Sequence, residues 1–539
     1  MDARAQLIAR LRADLTAADF TVAHLATLWG EDAAAALIRG HRVPARRALD
    51  RLGESDPAGT LARVFVLGMP VAAADLDRAL PTLRADGALE LELVLGVEQP
   101  QVLGVEQPPR SAASSRPHPR TIPSEFRPLV DLCPYSFTDS WGAVDWWIAS
   151  DLGELALGAP LHEDHVLGVG GASLTLSRLQ LERSANVTLD LGTGCGIQAM
   201  HASRHSGRVV ATDISARALG YARFNALLNG IGNIDFRLGS LFEPVDGERF
   251  DRIVSNPPFV ITPRVAGVPT YEYRDGGLVG DELVAAVIHG CGAHLEPGGI
   301  AQLLGNWEYR GSQDAFERVT EWLDDADLDA WIIEREVQDD ALYAQTWIRD
   351  GGTRAGVSFD ELEDAWLDDF ESRDVTQVGF GYMLLRNPVP ELVEAAPSTG
   401  SGTVSSRWRR LERLDGPVAP GLSAHIDATV SSHDWQAALD DDALARTMLT
   451  VAPDVTEERH YWPGDENPAV MNLRQGGGFA RTYPLGTALA AVVGACDGEL
   501  SVGAICAAVA HLLEVDEAEL LAEVLPDIRE LITVGILRQ

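Results

Sequence analysis

The sequence contains no lysine. All 43 of its basic residues are arginine, set against 80 acidic ones, and the formal net charge is −37. The absence of lysine excludes Schiff-base chemistry and a lysine general base. The acidic excess argues against a broad nucleic-acid surface, because phosphate binding calls for a basic face, although a small basic groove stays compatible with it. Cysteine is scarce as well. The five residues, at positions 133, 195, 291, 496 and 506, show no short paired spacing. Neither a disulfide framework nor a zinc cluster is therefore expected, no metal ligand is assigned, and reduced cytoplasmic thiols are the expectation. No run of about 18 apolar residues occurs, so no membrane span is expected. Met1–Gln6 lacks the basic-then-apolar order of a secretory signal. At 539 residues and 46% hydrophobic content, the chain is expected to form about three globular domains.

What is present centres on residues 187–213. An apolar run, Val187 to Leu191, leads into the glycine turn Gly192-Thr193-Gly194-Cys195-Gly196. Helix-compatible Ile197 to Ala202 follows, then a second apolar run, Arg208 to Thr212, ending in Asp213. Strand, tight turn, helix, strand and acid is a geometry for gripping a nucleoside: glycines let the backbone approach a ligand, and the second carboxylate takes ribose hydroxyls. Here the glycines fall at every second position, with Asp190 before the turn. A carboxylate there repels a pyrophosphate but can orient the ammonium of an amino-acid moiety, directly or through water. Further on, Phe250 to Ser255 reads as a short buried strand, and Asn256-Pro257-Pro258-Phe259 stands at its end. Two prolines remove two backbone donors and fix an extended turn. The Asn256 amide and the Pro257 carbonyl are then expected to accept hydrogens from a planar NH2 group, with Phe259 stacked on its plane.

The glycine turn with its two acids resembles the first two motifs of class I S-adenosylmethionine (SAM) methyltransferases. The Asn-Pro-Pro-aromatic segment resembles that of N-methyltransferases acting on glutamine amides, adenine N6 or guanine N2. Tyr271 to Glu282, with Arg274-Asp275-Gly276-Gly277, resembles the loop that follows this motif in release-factor glutamine N5-methyltransferases. The resemblance covers about 200 central residues. It implies an α/β fold with a class I Rossmann-like core, SAM as cofactor, and N-methylation of a protein glutamine. An RNA or DNA base is the alternative acceptor, and a non-catalytic SAM-binding interaction protein is the alternative of another class. By the same resemblance, Asp190, Gly192, Thr193, Gly194, Cys195, Gly196, Asp213, Ser240 and Leu241 would hold the cofactor. Asn256, Pro257, Pro258 and Phe259 would serve catalysis. Ser240 departs from the pattern, since related enzymes often carry an acid at that place. No strong general base is required, because transfer is driven mainly by proximity and alignment.

The flanks read as separate modules. Residues 1–95 are mostly helical, with helices over Pro44–Leu52, Thr60–Leu67 and Ala74–Leu83, then a strand over Gly87–Val94, which suggests a winged-helix-like module. Residues 96–124 form a linker in which Val94–Gln101 is nearly repeated as Val102–Pro109, followed by the Ser/Pro/Arg-rich Arg110–Pro123. The methyltransferase-like domain is placed at 125–390. Within it, Asp145–Ile148 is expected to pack on the main sheet and His165–Ser173 to lid the cofactor, while His162-Glu163-Asp164-His165 lacks a partner motif for a metal. Alternating strands and helices predict a mainly parallel sheet closed by Ala330–Val337 and an antiparallel Val378–Leu385. A second linker is placed at 391–419, including Pro390–Thr403. In it the basic-aromatic Ser406–Arg410 either meets RNA phosphates or pairs with the acidic surface. Residues 420–539 are expected to be a winged-helix-like interaction module, with a hairpin about Gly476–Gly478 and helices near 486–495, 501–513 and 517–534. A protein is the favoured partner. The sequence leaves the oligomeric state open.

Overall fold

The computed structural model describes residues 3–53, 56–97, 123–157, 161–388 and 407–539. The repeat beyond Val97, linker residues 110–122 and the Pro390–Thr403 stretch lie outside these residues.

In the first module, helices at Ala3–Ala17, Val22–Trp29, Glu31–Ile38 and Val43–Leu52 pack with later ones around Leu11, Leu15, Phe20, Phe65 and Leu76. Pro44 sits in the first turn of Val43–Leu52, where its missing N–H has no intrahelical partner to lose. The strand expected over Gly87–Val94 is instead a helix, Arg84–Glu90, followed by a strand at Val94–Val97. The Leu89/Leu91/Leu93 alternation misled, because Ala85 and Ala88 are buried at helical spacing and the chain leaves the helix through Glu92 at φ +60°. Glu125–Pro128 lies between Val94–Val97 and Val71–Ala72 in a three-stranded antiparallel sheet. The start of the segment placed in the central domain thus belongs to the first module's sheet.

Next comes a two-stranded hairpin, Val130–Asp139 with Gly142–Asp151. Neighbouring strand residues face opposite ways, and Trp146 and Trp147 use this. Trp146 packs with Cys195, Ile197 and Met200 beside the glycine turn. Trp147 enters the core of the first module, where its Nε1 donates to Phe20 O at 2.7 Å. Asp145–Ile148 therefore packs on the helical layer over the central sheet and joins two modules.

The central sheet has eight strands: β1 (Ala185–Leu191), β2 (Ser206–Asp213), β3 (Ile234–Leu238), β4 (Phe250–Ser255), β5 (Leu295–Arg310), β6 (Asp329–Asp339), β7 (Val375–Arg386) and β8 (Arg409–Arg413). Their order is β3-β2-β1-β4-β5-β7-β6-β8. β1 to β5 run parallel, and β7 is antiparallel to both its neighbours. The chain steps outward from β1 to β3 and returns to place β4 on the other side of β1. A crevice opens beyond the carboxyl ends of β1 and β4, where ligands bind in open α/β sheets.

β8 corrects the linker placed at 391–419, since Arg409–Arg413 adds a strand parallel to β6. Its alternation of long side chains supplies ion pairs on both faces. Arg407 pairs with Asp327, Arg409 with Asp324, and Arg410 with Glu412 and Glu530. The basic-aromatic patch thus pairs with acids of the chain itself. Glu412 accepts from Trp331 Nε1 at 2.6 Å and from Arg481 Nη1 at 2.6 Å, tying the sheet to the last module. Burial works against its charge, but Arg481 and Arg410 hold its pKa down at about 2.

The last module contains the expected Gly476–Gly478 turn between strands Val470–Gln475 and Thr482–Pro484, and helices Thr487–Gly494, Val502–Leu513 and Glu517–Thr533. A second small sheet, of Met448–Val451, Asp497–Ser501 and Leu537–Arg538, carried no readable sequence pattern. Among the described residues, no helix is long and apolar enough to cross a membrane.

Candidate active site

Strand register brings the sequence motifs together. Leu191 pairs with Thr212 on one side and with Ser255 on the other. Gly192, Asp213 and Asn256 therefore leave three adjacent strands at one level, and the Ser255 hydroxyl donates to Leu191 O at 2.7 Å to lock β4 to β1. Asp213 in turn pairs with Leu238, which brings up Gly239, Ser240 and Leu241. These ends surround a cleft of about 420 Å³, lined by Gly192, Thr193, Gly194, Cys195, Asp213, Ser240, Leu241, Asn256, Pro257 and Pro258 among others.

The glycine turn is built for close approach. Gly192, Gly194 and Gly196 have φ of +75°, +55° and +90°. A Cβ on Gly192 or Gly194 would meet nothing within 4 Å, because both face open space. A Cβ on Gly196 would lie 3.0 Å from Ala222 Cα and Cβ. Gly196 thus lets the turn sit down on the helix Ala216–Leu228, and it does not line the cleft. The buried Asn225 of that helix holds the arrangement, donating to Cys195 O and Ala149 O at 2.9 Å. Thr193 N and Gly192 N both donate to Thr212 O at 2.9 Å.

Asp190 does not reach the cleft. It is fully buried beneath the turn, where its Oδ2 accepts from Thr193 Oγ1 at 2.5 Å and its Oδ1 has no donor. Burial pushes its pKa up to about 7. The expectation that it orients an ammonium gives way to a brace for the turn, because the Thr193 bond keeps the carboxyl below the backbone. Asp213 does line the cleft. Its Oδ2 accepts from Gly194 N and its Oδ1 from Ser215 N, both at 2.8 Å, and each oxygen keeps a lone pair for a further donor. Burial raises its pKa despite these bonds, and neighbouring Glu272 adds to the rise.

The Asn256-Pro257-Pro258 segment forms the opposite wall. Asn256 Oδ1 is buried and has no hydrogen-bond donor. The Pro257 carbonyl is not as free as expected, since it already accepts from Phe259 N at 2.8 Å. Phe259 is not in the lining. It pairs as an isolated antiparallel bridge with Asp275, and its half-buried ring packs against apolar side chains of the central core and the neighbouring helices. The tight turn after the prolines thus sets the ring of Phe259 behind the wall of the cleft, and its expected stacking on an acceptor group has no counterpart in the lining.

Other residues complete the site. The segment proposed as a lid contributes His165, Val166, Leu167, Gly168 and Ser173 to the wall. It is anchored by Asp151, whose carboxylate accepts from Val166 N at 2.8 Å and Tyr221 Oη at 2.7 Å and pairs with Arg217. The later loop adds Glu272, Tyr273, Asp275, Gly276, Gly277 and Leu278, and Glu272 N donates to Glu163 O at 2.9 Å, so the two walls meet. His165 is buried against Tyr273, with ring centroids 5.8 Å apart, and burial lowers its pKa. Asp151 and Asn225 gave no sequence signal; each lies far in sequence from the groups it holds. Among the described residues no group of three or more His, Cys, Asp or Glu is arranged to hold a metal.

The charged groups lining the cleft are Asp213, Glu272 and Asp275, with no arginine among them. This donor set fits SAM, a sulfonium cation bearing an ammonium and a ribose. The glycine turn would receive its amino-acid part and Asp213 its ribose hydroxyls. SAM supplies an electrophilic methyl group.

A sheet of this order with its antiparallel β7, a glycine turn after β1, an acid ending β2 and Asn-Pro-Pro-Phe ending β4 define a class I Rossmann-like methyltransferase core. Within it, residues 169–321 match the family described as "Methyltransferase small domain". Residues 17–103 and 427–539 match two further families, each described as a domain of unknown function. Among curated relatives, the release factor glutamine methyltransferase of Xylella fastidiosa (strain Temecula1) is 40% identical over 127 residues, 22% of this chain and 46% of that protein. The ribosomal protein uL3 glutamine methyltransferase of Bradyrhizobium diazoefficiens is 34% identical over 162 residues, 27% of this chain and 49% of that protein. The ribosomal RNA small subunit methyltransferase C of Klebsiella pneumoniae is 34% identical over 138 residues, 25% of this chain and 35% of that protein. The chain thus spans about half or less of the length of these relatives.

Proposed function

We propose that this protein is a SAM-dependent N-methyltransferase whose acceptor is the side-chain amide of a glutamine in a protein. The observation that carries the reading is Asn256 Oδ1, an acceptor buried beside the cleft without a donor. A buried oxygen left so is costly until a donor arrives, and an NH2 group brought to the cleft supplies one. Asn256 then orients the nitrogen, and alignment with the methyl donor supplies most of the rate enhancement. The arginine-free lining supports a neutral acceptor over a phosphate-rich one. Two of the relatives named above are glutamine methyltransferases, which supports the same acceptor.

An RNA base is the second reading, favoured by the relative named for ribosomal RNA. In both readings the flanking modules recognise the macromolecule. Five unpaired thiols suit a reducing, cytoplasmic setting. The test is incubation of the full chain with labelled SAM and cell extract, followed by separate protease and nuclease digestion. Label released by protease supports the glutamine acceptor. Label released by nuclease overturns it in favour of a base, and no incorporation overturns both.

A further inference from the structure

The lid segment and the later loop both line the cleft, and they touch each other. Glu272 N donates to Glu163 O at 2.9 Å, and the rings of His165 and Tyr273 meet edge to face with centroids 5.8 Å apart. Each half is braced from behind by one aspartate. On the lid side it is Asp151, which accepts from Val166 N and Tyr221 Oη and pairs with Arg217. On the loop side it is Asp350. A single oxygen, Oδ2, accepts from Tyr273 Oη at 2.9 Å and from Arg274 Nη1 at 2.8 Å. Asp350 ends the helix Asp340–Asp350, which forms a helical hairpin with Val357–Ser372 between β6 and β7. Tyr343, Ile348, Trp366 and Phe370 of that hairpin pack with Val260 and Ile261, so its footing is apolar and does not include Asp350.

Arg274 ties the loop to the same hairpin. Its Nη1 also donates to Trp347 O at 2.7 Å, its guanidinium lies 4.6 Å from the centroid of the Tyr271 ring, and Tyr271 Oη donates to Gly351 O at 3.1 Å. The backbone of the loop is thus held several times over. Among the described residues, the Tyr273 hydroxyl is held by Asp350 alone. We propose that Asp350 is a positioning residue for the cofactor cleft, which through the Tyr273 hydroxyl keeps that ring against His165 and so slows release of the cofactor and its demethylated product. The inference goes beyond the acceptor reading, since it concerns the cofactor and holds for any acceptor. Two further observations support it. Glu272, next to Tyr273, helps to raise the pKa of Asp213, which sets this loop near the acid proposed for the ribose. Behind the lid segment lies another cavity of about 320 Å³, and His165, Leu167 and Gly168 line both it and the cleft. The lid therefore has room to withdraw once the ring contact is lost. A contact that joins two walls must break before the ligand leaves, so its effect falls on dissociation.

The test follows release of tritiated S-adenosylhomocysteine from the full chain after an excess of the unlabelled compound is added. Asp350→Ala and Tyr273→Phe should each speed release about tenfold, the scale of one hydrogen bond to a charged group. The double variant should release no faster than the quicker single one, because both changes remove the same bond. Asp350→Asn can set its amide oxygen where Oδ2 stood and should stay within about threefold of wild type, a rescue that loss of helix-end packing would not show. The side chain of Asp350 is 44% exposed, so alanine there opens no cavity. The melting temperature of the unliganded chain is the folding control, and Tyr273→Phe, which removes one oxygen, decides the matter if Asp350→Ala fails it. An unchanged rate in a folded single variant, effects that multiply in the double variant, or an Asp350→Asn as fast as Asp350→Ala overturns the role of Asp350 and leaves the methyltransferase class standing. A wild-type chain that binds no S-adenosylhomocysteine overturns the cofactor site itself.

Discussion

Gly194 and Gly196 sit two residues apart in one turn, yet alanine should act on them in opposite ways. At Gly196 the backbone has φ +90°, and an added Cβ would lie 3.0 Å from Ala222 Cα and Cβ. The left-handed conformation costs an alanine roughly 1–2 kcal/mol, and crowding against a helix backbone adds about 1–3 kcal/mol. Gly196→Ala should therefore lose about 2–5 kcal/mol of local stability. At Gly194 φ is +55°, and the new methyl would touch nothing within 4 Å. Its stability cost stops at roughly 1–2 kcal/mol, but the methyl occupies the cleft floor where a cofactor would lie. Gly194→Ala should weaken SAM binding by at least about tenfold, or 1.4 kcal/mol. Hydrogen exchange across 185–203 reads the first quantity, and calorimetric titration of SAM reads the second. Unchanged protection in Gly196→Ala would refute the contact with Ala222. Unchanged SAM affinity in Gly194→Ala would refute the turn as the cofactor floor.

Other expectations follow from the same geometry. Asn256→Ala should lower single-turnover methyl transfer on the labelled acceptor about a hundredfold, roughly 2–4 kcal/mol in activation free energy, with SAM affinity nearly unchanged. Transfer within a fewfold of wild type would leave Asn256 as a turn residue. Burial holds Asp190 at a pKa of about 7, above the unfolded value of about 3.9. Between those values the folded state binds more protons, so stability contributed by neutral Asp190 is full below about pH 4 and declines as pH rises towards 7. Asp131, raised to about 7 chiefly by burial, adds in the same direction. Asp190→Asn, neutral throughout, should flatten the fall in melting temperature from pH 5 to pH 8, and an unaltered slope would contradict the assignment. Glu412 joins Trp331, Arg410 and Arg481 and is 16% exposed. Glu412→Gln should loosen β8 from β6 by about 3 kcal/mol, the scale for breaking a largely buried ion pair. Exchange protection at 329–339 equal to wild type would show that β8 does not depend on it.

The sequence alone determined the elements whose signal is local. The glycine turn, the acid ending β2, the prolines after β4 and the alternation of strand and helix are short-range patterns, fixed by steric rules and hydrogen-bonding capacity within a few residues. They were legible, as were the last three long helices. Tertiary structure decided what depends on distant partners. Leu191 pairing with Ser255 is what makes one cleft of two motifs more than sixty positions apart in sequence. Asp190 falls beneath the turn and not into the cleft because Thr193 takes its oxygen. Phe259 leaves the site because its backbone pairs with Asp275, and Asp275 enters the lining by the same bridge. Arg409–Arg413 becomes a strand only because β6 presents an open edge to it. A strand edge, a buried carboxylate and an unpartnered oxygen take their roles from groups that folding alone brings near. That is why the motifs could be read from the chain, while their meeting in one cleft could be read only from the structure.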